Sequence, residues 1–224
     1  MTALRGTVAA VLFDLDGTLI DSAPDLAAAA NHMRGLRGLQ PLPHASLRMH
    51  AGSGARGMLG AAFELAPGQA GYEAMRDEFL ARYEDCMLQQ TRPFEAVAPL
   101  LDALEARRLP WGIVTNKALR YAEPVAQALG LWPRATALVG GDSTPHTKPH
   151  PAPLLEAARR LGLPPQHCVY VGDDPRDMRA GQAAGMATLA AAWGYLGVES
   201  PLEAWDADAV LAHPMELLHW LDLP

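Results

Sequence analysis

Val11-Leu12-Phe13-Asp14-Leu15-Asp16-Gly17-Thr18 runs from an apolar stretch straight into two carboxylates, then a glycine and a threonine. The apolar residues over 8–13 predict a strand buried on both faces, as in a parallel sheet. Asp14 and Asp16 then fall at or just past its carboxyl end, where open α/β sheets place their chemistry. One residue separates them, so both carboxylates reach one small site if the chain curls there, and Gly17 permits the curl. Two acids brought together serve as a metal site, as an acid/base pair, or as a nucleophile beside an acid.

The rest of the chain supplies the sheet that such a strand needs. From Pro93 onward, helical and strand patterns alternate. Val97, Leu100, Leu101 and Leu104 recur at helical spacing, and Pro110 closes that helix. A short strand follows over 111–115, then a helix over 118–129 with Gly130 as its stop. Leu138 and Val139 form a strand ending in Gly140-Gly141, and 151–161 is a helix. A strand over 168–171 ends in Gly172-Asp173-Asp174, a helix spans 177–184, and another strand spans 187–191. Strands separated by one helix each predict an α/β fold with a doubly wound, Rossmann-like parallel sheet.

Residues between about 23 and 90 carry no strand pattern. Helices are expected at 26–33, 55–65 and 72–87. In the last, Tyr72, Met75, Phe79, Tyr83, Cys86 and Met87 form one apolar stripe, the expected core of a helix bundle. An all-helical insert over 21–92 thus interrupts an α/β domain made of 1–20 and 93–224. Its two junctions are close together, which allows hinge motion over the strand ends.

Composition narrows the class. Half of the 224 residues are apolar, enough for a sizeable core. The net charge of −7 argues against a nucleic-acid partner, and no apolar run is long enough to cross a membrane. No signal-peptide pattern opens the chain, and two cysteines, Cys86 and Cys168, read as buried thiols of a reducing compartment. A cytoplasmic protein is expected. There are only two lysines, Lys117 and Lys148, against sixteen arginines. Where lysine does appear, a compact point charge is wanted rather than a fork.

Four segments carry the chemistry. They are Asp14-Leu15-Asp16-Gly17-Thr18, Ile113-Val114-Thr115-Asn116-Lys117, Thr147-Lys148-Pro149-His150-Pro151, and Val169-Tyr170-Val171-Gly172-Asp173-Asp174-Pro175-Arg176-Asp177. Each lies at a strand's carboxyl end or a helix start, and in a parallel sheet those ends share one edge. As an ordered set they resemble the haloacid dehalogenase-like hydrolase superfamily over essentially the whole chain, and the insert resembles its helical cap. More narrowly, Asp21-Ser22-Ala23-Pro24-Asp25-Leu26, Thr115-Asn116-Lys117, Gly140-Gly141-Asp142 and Lys148-Pro149-His150-Pro151-Ala152-Pro153 resemble the phosphoglycolate phosphatases. Arg92-Pro93-Phe94, Ala122-Glu123-Pro124 and Gly172-Asp173-Asp174-Pro175-Arg176-Asp177 resemble the N-acetylmuramic acid 6-phosphate phosphatases. Asp174 stands where phosphoglycolate phosphatases more often carry Ser.

The resemblance implies a Mg²⁺-dependent phosphatase acting on a small phosphate monoester, with 2-phosphoglycolate expected first and N-acetylmuramic acid 6-phosphate as the alternative. It implies Asp14 as nucleophile and Asp16 as general acid and base. Thr115, Asn116 and Lys148 would hold the phosphoryl group. Asp14, Asp173 and the main-chain carbonyl of Asp16 would hold the metal, with Asp177 or Asp174 ordering its waters. Arg56, in Ser53-Gly54-Ala55-Arg56, is the expected cap residue for a substrate carboxylate. A dehalogenase would lack the second acid, and a phosphonatase needs a cap lysine, which 21–92 does not contain. A phosphosugar mutase shares Asp14 and Asp16 and stays open. A non-catalytic binding protein sits poorly with the complete set.

Overall fold

A computed structural model of the protein describes residues 8–197 and 200–223. Residues 1–7, 198–199 and 224, which the sequence reading places in the α/β domain, lie outside them. The apolar run forms β1 (Ala10–Phe13), buried along its whole length. It lies inside a six-stranded sheet with β4 (Trp111–Val114), β5 (Ala137–Val139), β6 (Cys168–Gly172), β7 (Ala187–Ala191) and β8 (Ala209–Leu211), in the order β5-β4-β1-β6-β7-β8. Every pairing is parallel. Phe13 sits between Ile113 of β4 and Val171 of β6. The chain runs outward from β1 on one side, then crosses back to fill the other, so β1 flanks the crevice where such sheets bind ligands.

Helices α5 (Val97–Ala106), α6 (Leu119–Ala128), α7 (Ala152–Leu161) and α8 (Pro175–Ala184) connect these strands. The sequence placed the ends of α6, α7 and α8 within two residues, while α5 stops at Ala106, short of the Pro110 expected to close it. Pro175 opens α8 two residues before the expected start, because Asp174 caps it and Asp177 completes a capping box. Strand β8 and the short α9 (Glu216–Trp220) were not expected from the sequence. Across β8 burial runs from intermediate to exposed to buried, so it has no continuous apolar run to announce it.

The helical insert holds α1 (Ala23–Leu36), α2 (His44–Arg48), α3 (Gly54–Phe63) and α4 (Tyr72–Cys86). The five-residue α2 had no readable periodicity. Tyr72, Phe79, Tyr83 and Met87 are buried as the stripe predicted. Their cluster is continuous with Phe13 and Trp111 of the sheet, so one core runs through both layers.

Two connections join the layers, and they pair as a two-residue antiparallel ladder, β2 (Ile20–Asp21) with β3 (Arg92–Pro93). Asp25, fully buried, accepts from the backbone N–H of Gln90 and of Thr91 and from the Thr91 hydroxyl at 2.7 Å. From the sheet side, the Tyr195 hydroxyl accepts from the backbone N–H of Ser22 at 2.8 Å and of Ala23 at 3.0 Å. Chain entering and chain leaving the insert are thus fixed to each other and to the sheet.

Candidate active site

Parallel strands put their carboxyl ends on one edge, and the residues after β1, β4 and β6 carry functional groups. Asp14 follows β1 and donates its N–H to Val171 O; Thr115 follows β4 and donates to Val139 O. Asp173 follows β6. Gly17 takes a φ of +92° in the turn after Asp16, and a Cβ there would lie 2.1 Å from an Asp173 carboxylate oxygen. Glycine is required on both counts.

Asp14, Asp173 and Asp177 are buried, and one carboxylate oxygen from each can lie within 4.8 Å of the others. Lys148, 4% exposed, reaches into this group. Its ammonium donates to Asp14 Oδ1 at 2.8 Å, Val114 O at 3.0 Å and the Tyr170 hydroxyl at 2.7 Å, and pairs with Asp177 at 2.7 Å. Its backbone is held in turn by Asn116, whose amide donates to Lys148 O and accepts from Lys148 N. Burial, eased by Lys148 and reinforced by Asp177 and Asp16, pushes Asp14 up to about 7. Burial, with Asp14 and Asp177 beside it, raises Asp173 well above the carboxylate range. Three buried acids against one ammonium leave negative charge uncompensated. An all-oxygen donor set with that deficit fits a hard divalent cation.

Asp16 is held apart from this group. Its carboxylate accepts from Ser22 Oγ at 2.5 Å and from the Lys117 ammonium at 2.9 and 3.0 Å. Burial opposes the charge on Lys117, but Asp16 and Tyr83 more than offset it, and the lysine is held ionised. Lys117 also lies over the Tyr83 ring, 4.7 Å from its centroid. No role was assigned to Lys117 from the sequence. The scarcity of lysine was the signal, since both lysines reach a strand-end acid.

Asp174 and Asp177 diverge. Asp177 faces Lys148 and the other acids. Asp174 takes a bidentate pair from Arg176, at 2.7 and 2.8 Å. Burial works against the Asp174 charge, yet Arg176 holds its carboxyl below the usual range. Arg176 also donates to Gly52 O of the insert at 2.7 Å, a bond between the two layers.

The acids, both lysines and Arg176 line one cavity of about 300 Å³. The sheet edge gives its charged floor. The insert gives a wall of Leu26, Phe79, Leu80 and Tyr83 and the chain from Ala51 to Ala55. Asp14, Asp16, Thr115, Asn116, Lys148, Asp173, Asp174 and Asp177 are all brought there. Arg56 is not. It is exposed on α3 and absent from the lining. The cause is helix phase: Ser53 to Ala55 face the cavity, Met58, Leu59 and Ala62 pack inward, and Arg56 points away. The cations that do line the cavity besides Lys148 are Lys117, Arg120 and Arg176.

Comparison with known proteins agrees with this geometry. Residues 11–191 match the haloacid dehalogenase-like hydrolase profile. The chain is 47% identical over 209 residues to a phosphoglycolate phosphatase of Xanthomonas campestris pv. campestris, covering 93% of this chain and 94% of that one. It is 42% identical over 218 residues to an N-acetylmuramic acid 6-phosphate phosphatase of Pseudomonas aeruginosa, covering 97% and 96%. The crystal structure of a predicted phosphoglycolate phosphatase from Haemophilus somnus 129pt superposes with a TM-score of 0.83 at 27% identity, covering 95% and 97% of the two chains. With its strand-end acids, its buried lysine and its helical cap over the sheet edge, the chain belongs to the haloacid dehalogenase-like hydrolases.

Proposed function

We propose that this hydrolase is a phosphatase that cleaves a small phosphate monoester in two displacements at Asp14. In the first, an Asp14 carboxylate oxygen bonds to phosphorus and the ester P–O bond breaks. The departing electron pair stays on the alkoxide oxygen, which takes a proton from Asp16. In the second, Asp16 takes a proton from water as the water oxygen bonds to phosphorus. The bond to Asp14 breaks, and inorganic phosphate leaves. Splitting one hard displacement into two is the gain of a covalent nucleophile.

The observation that carries this reading is the placement of Asp14. Its carboxylate is buried at a strand end, bonded to Lys148 and two residues from a second acid held in a different environment. One carboxylate for attack and another for proton transfer is the arrangement that such chemistry needs. Thr115 has its hydroxyl proton free for a phosphoryl oxygen, because its oxygen accepts from Lys117 N. The Asn116 backbone N–H follows it at the same edge.

Mg²⁺ is the cation that we assign to the acid cluster, held by Asp14, Asp173 and the Asp16 carbonyl, with Asp177 ordering its waters. When bound, it supplies neutralisation of charge on the transferring oxygens. The helical segment 21–92 acts as a cap that selects the leaving group. The two relatives supply two candidate substrates, 2-phosphoglycolate and N-acetylmuramic acid 6-phosphate, and both carry a carboxylate. The two cysteines are free, which suits the cytoplasm.

The test is phosphate release from a panel of monoesters that includes both candidates and a hexose phosphate, with Mg²⁺ and with chelator. Release that needs Mg²⁺ is expected. Full activity after exhaustive chelation would refute the metal assignment. Isomerised sugar phosphate with no free phosphate would make the protein a mutase.

A further inference from the structure

The cations of the cavity differ in one respect. Lys148, Lys117 and Arg176 are each committed to a carboxylate of the floor. Arg120 is not: among the described residues, no carboxylate pairs with it. Glu84 and Asp77 of α4 act on neighbouring Tyr121, but neither is ion-paired with Arg120. The Arg120 guanidinium lies over the Tyr121 ring, 4.5 Å from its centroid, and also acts on the Tyr121 hydroxyl, which occupies at most part of its donor set. Stacking on a ring fixes the plane of the guanidinium while leaving N–H donors at its edge for an anion.

Depth adds a second constraint. Asp14 and Lys148 are buried at the floor, whereas Arg120 is exposed in the first turn of α6 and still lines the cavity. It therefore stands at the mouth. Between floor and mouth lie the Tyr83 and Phe79 wall and about 300 Å³ of space. That volume is at the lower end of pockets for drug-sized molecules, and it is generous for a two-carbon acid.

We propose, on the reading that the floor transfers a phosphoryl group, that Arg120 is a specificity-determining residue that holds a substrate carboxylate at the cavity mouth. The favoured ester then has a body of sugar size, with several bonds between phosphate and carboxylate. A two-carbon ester has its carboxylate only a few bonds from the phosphate, so anchoring on the buried floor favours a carboxylate near the floor over one at the exposed mouth where Arg120 stands. The guanidinium fork matches a carboxylate in two parallel hydrogen bonds, which a lysine cannot do.

The experiment measures kcat/KM for wild type, Arg120→Gln, Arg120→Lys and Arg56→Ala on N-acetylmuramic acid 6-phosphate, 2-phosphoglycolate and p-nitrophenyl phosphate. Loss of a charge-assisted pair predicts a fall of roughly 10- to 100-fold for Arg120→Gln on the acetylmuramic ester, carried by KM. On p-nitrophenyl phosphate the change stays within about twofold, Arg120→Lys recovers part of the loss, and Arg56→Ala is silent. Equal losses on all three esters would assign Arg120 to the cap or the fold and overturn the proposal. So would an unchanged Arg120→Gln, or a wild type that prefers the two-carbon ester. A wild type that releases phosphate from none of the three defeats the phosphatase reading, and the proposal falls with it. That outcome is told apart from the others by the inert wild type.

Discussion

Two buried tyrosines mark the difference between the floor of the cavity and its wall. Tyr170, on β6, accepts from Lys148 and donates to Val114 O at 2.8 Å, with Asp177 Oδ1 at 3.2 Å. Tyr83, on α4, is just as buried, but its hydroxyl is the one buried side-chain polar atom without a hydrogen-bond partner among the described residues. The Lys117 ammonium lies over its ring and its charge acts on the hydroxyl, without a hydrogen bond of full geometry. Burial raises both phenols, Tyr83 to about 12 and Tyr170 well above the usual value. The floor is a finished polar network with fixed positions, as a site must be when it stabilises a defined transition state. The wall is apolar packing with polar capacity left unspent, as suits a surface that meets different leaving groups.

The largest break in this contrast comes from the floor's one buried cation. Lys148→Met leaves Asp14 and Asp177 without their ion-paired cation, and removing one partner of a buried pair costs about 3–5 kcal/mol. Denaturant unfolding in chelator should show that loss, and Mg²⁺ should restore part of it. An unchanged midpoint in chelator would mean that the acids do not depend on Lys148.

An effect of comparable size, spread over a pH window, follows from protons. Asp14 rises from 3.8 to about 7 in the fold, so between roughly pH 4 and 7 the metal-free fold holds a proton that the unfolded chain has released. The stabilisation is fully present below the lower value and is lost as pH rises through the upper one. The stability of wild type relative to Asp14→Asn, measured in chelator, should therefore fall across that window. Saturating Mg²⁺ should flatten the trend, because the ion binds the ionised carboxylates. A difference that is flat in chelator, or that rises with pH, breaks the account of the floor.

The smallest effects compare the tyrosines directly. Tyr170→Phe leaves the Val114 carbonyl and the Lys148 ammonium each short of a partner, a destabilisation of about 1–3 kcal/mol. Tyr83→Phe removes a hydroxyl that makes no full hydrogen bond, so stability should change by less than about 1 kcal/mol. Equal destabilisation by both changes would erase the distinction between floor and wall.

The same distinction governs how much could be read in advance. Much of the floor was legible because Asp14, Thr115 and Asp173 each stand one position past an apolar strand, while Lys148 and Asp177 were read from the motifs that carry them. Lys117 was visible only as a rare residue type, since its partner Asp16 lies 101 positions away in the chain. The wall was legible as a stripe of large apolar residues, which fixed its packing and not its chemistry. Arg56 shows the limit. Its sequence setting matched expectation, yet one step of helix phase turns it to solvent, and phase at a helix start preceded by the 3₁₀ turn Ala51–Ser53 is set by tertiary packing. Arg120 drew no notice because it lies on α6, after the strand-end motif, and only the fold brings it to the cavity. Strand β8 escaped for want of an apolar run.

The central claim is that phosphate leaves through a covalent bond to Asp14, and the stereochemistry at phosphorus tests it most directly. A thiophosphate ester made chiral with oxygen isotopes is hydrolysed in isotopically labelled water, and the configuration of the product is read. Each in-line displacement inverts phosphorus, so the two steps proposed at Asp14 predict net retention. Net inversion means that water attacks the ester directly, and it would contradict the account.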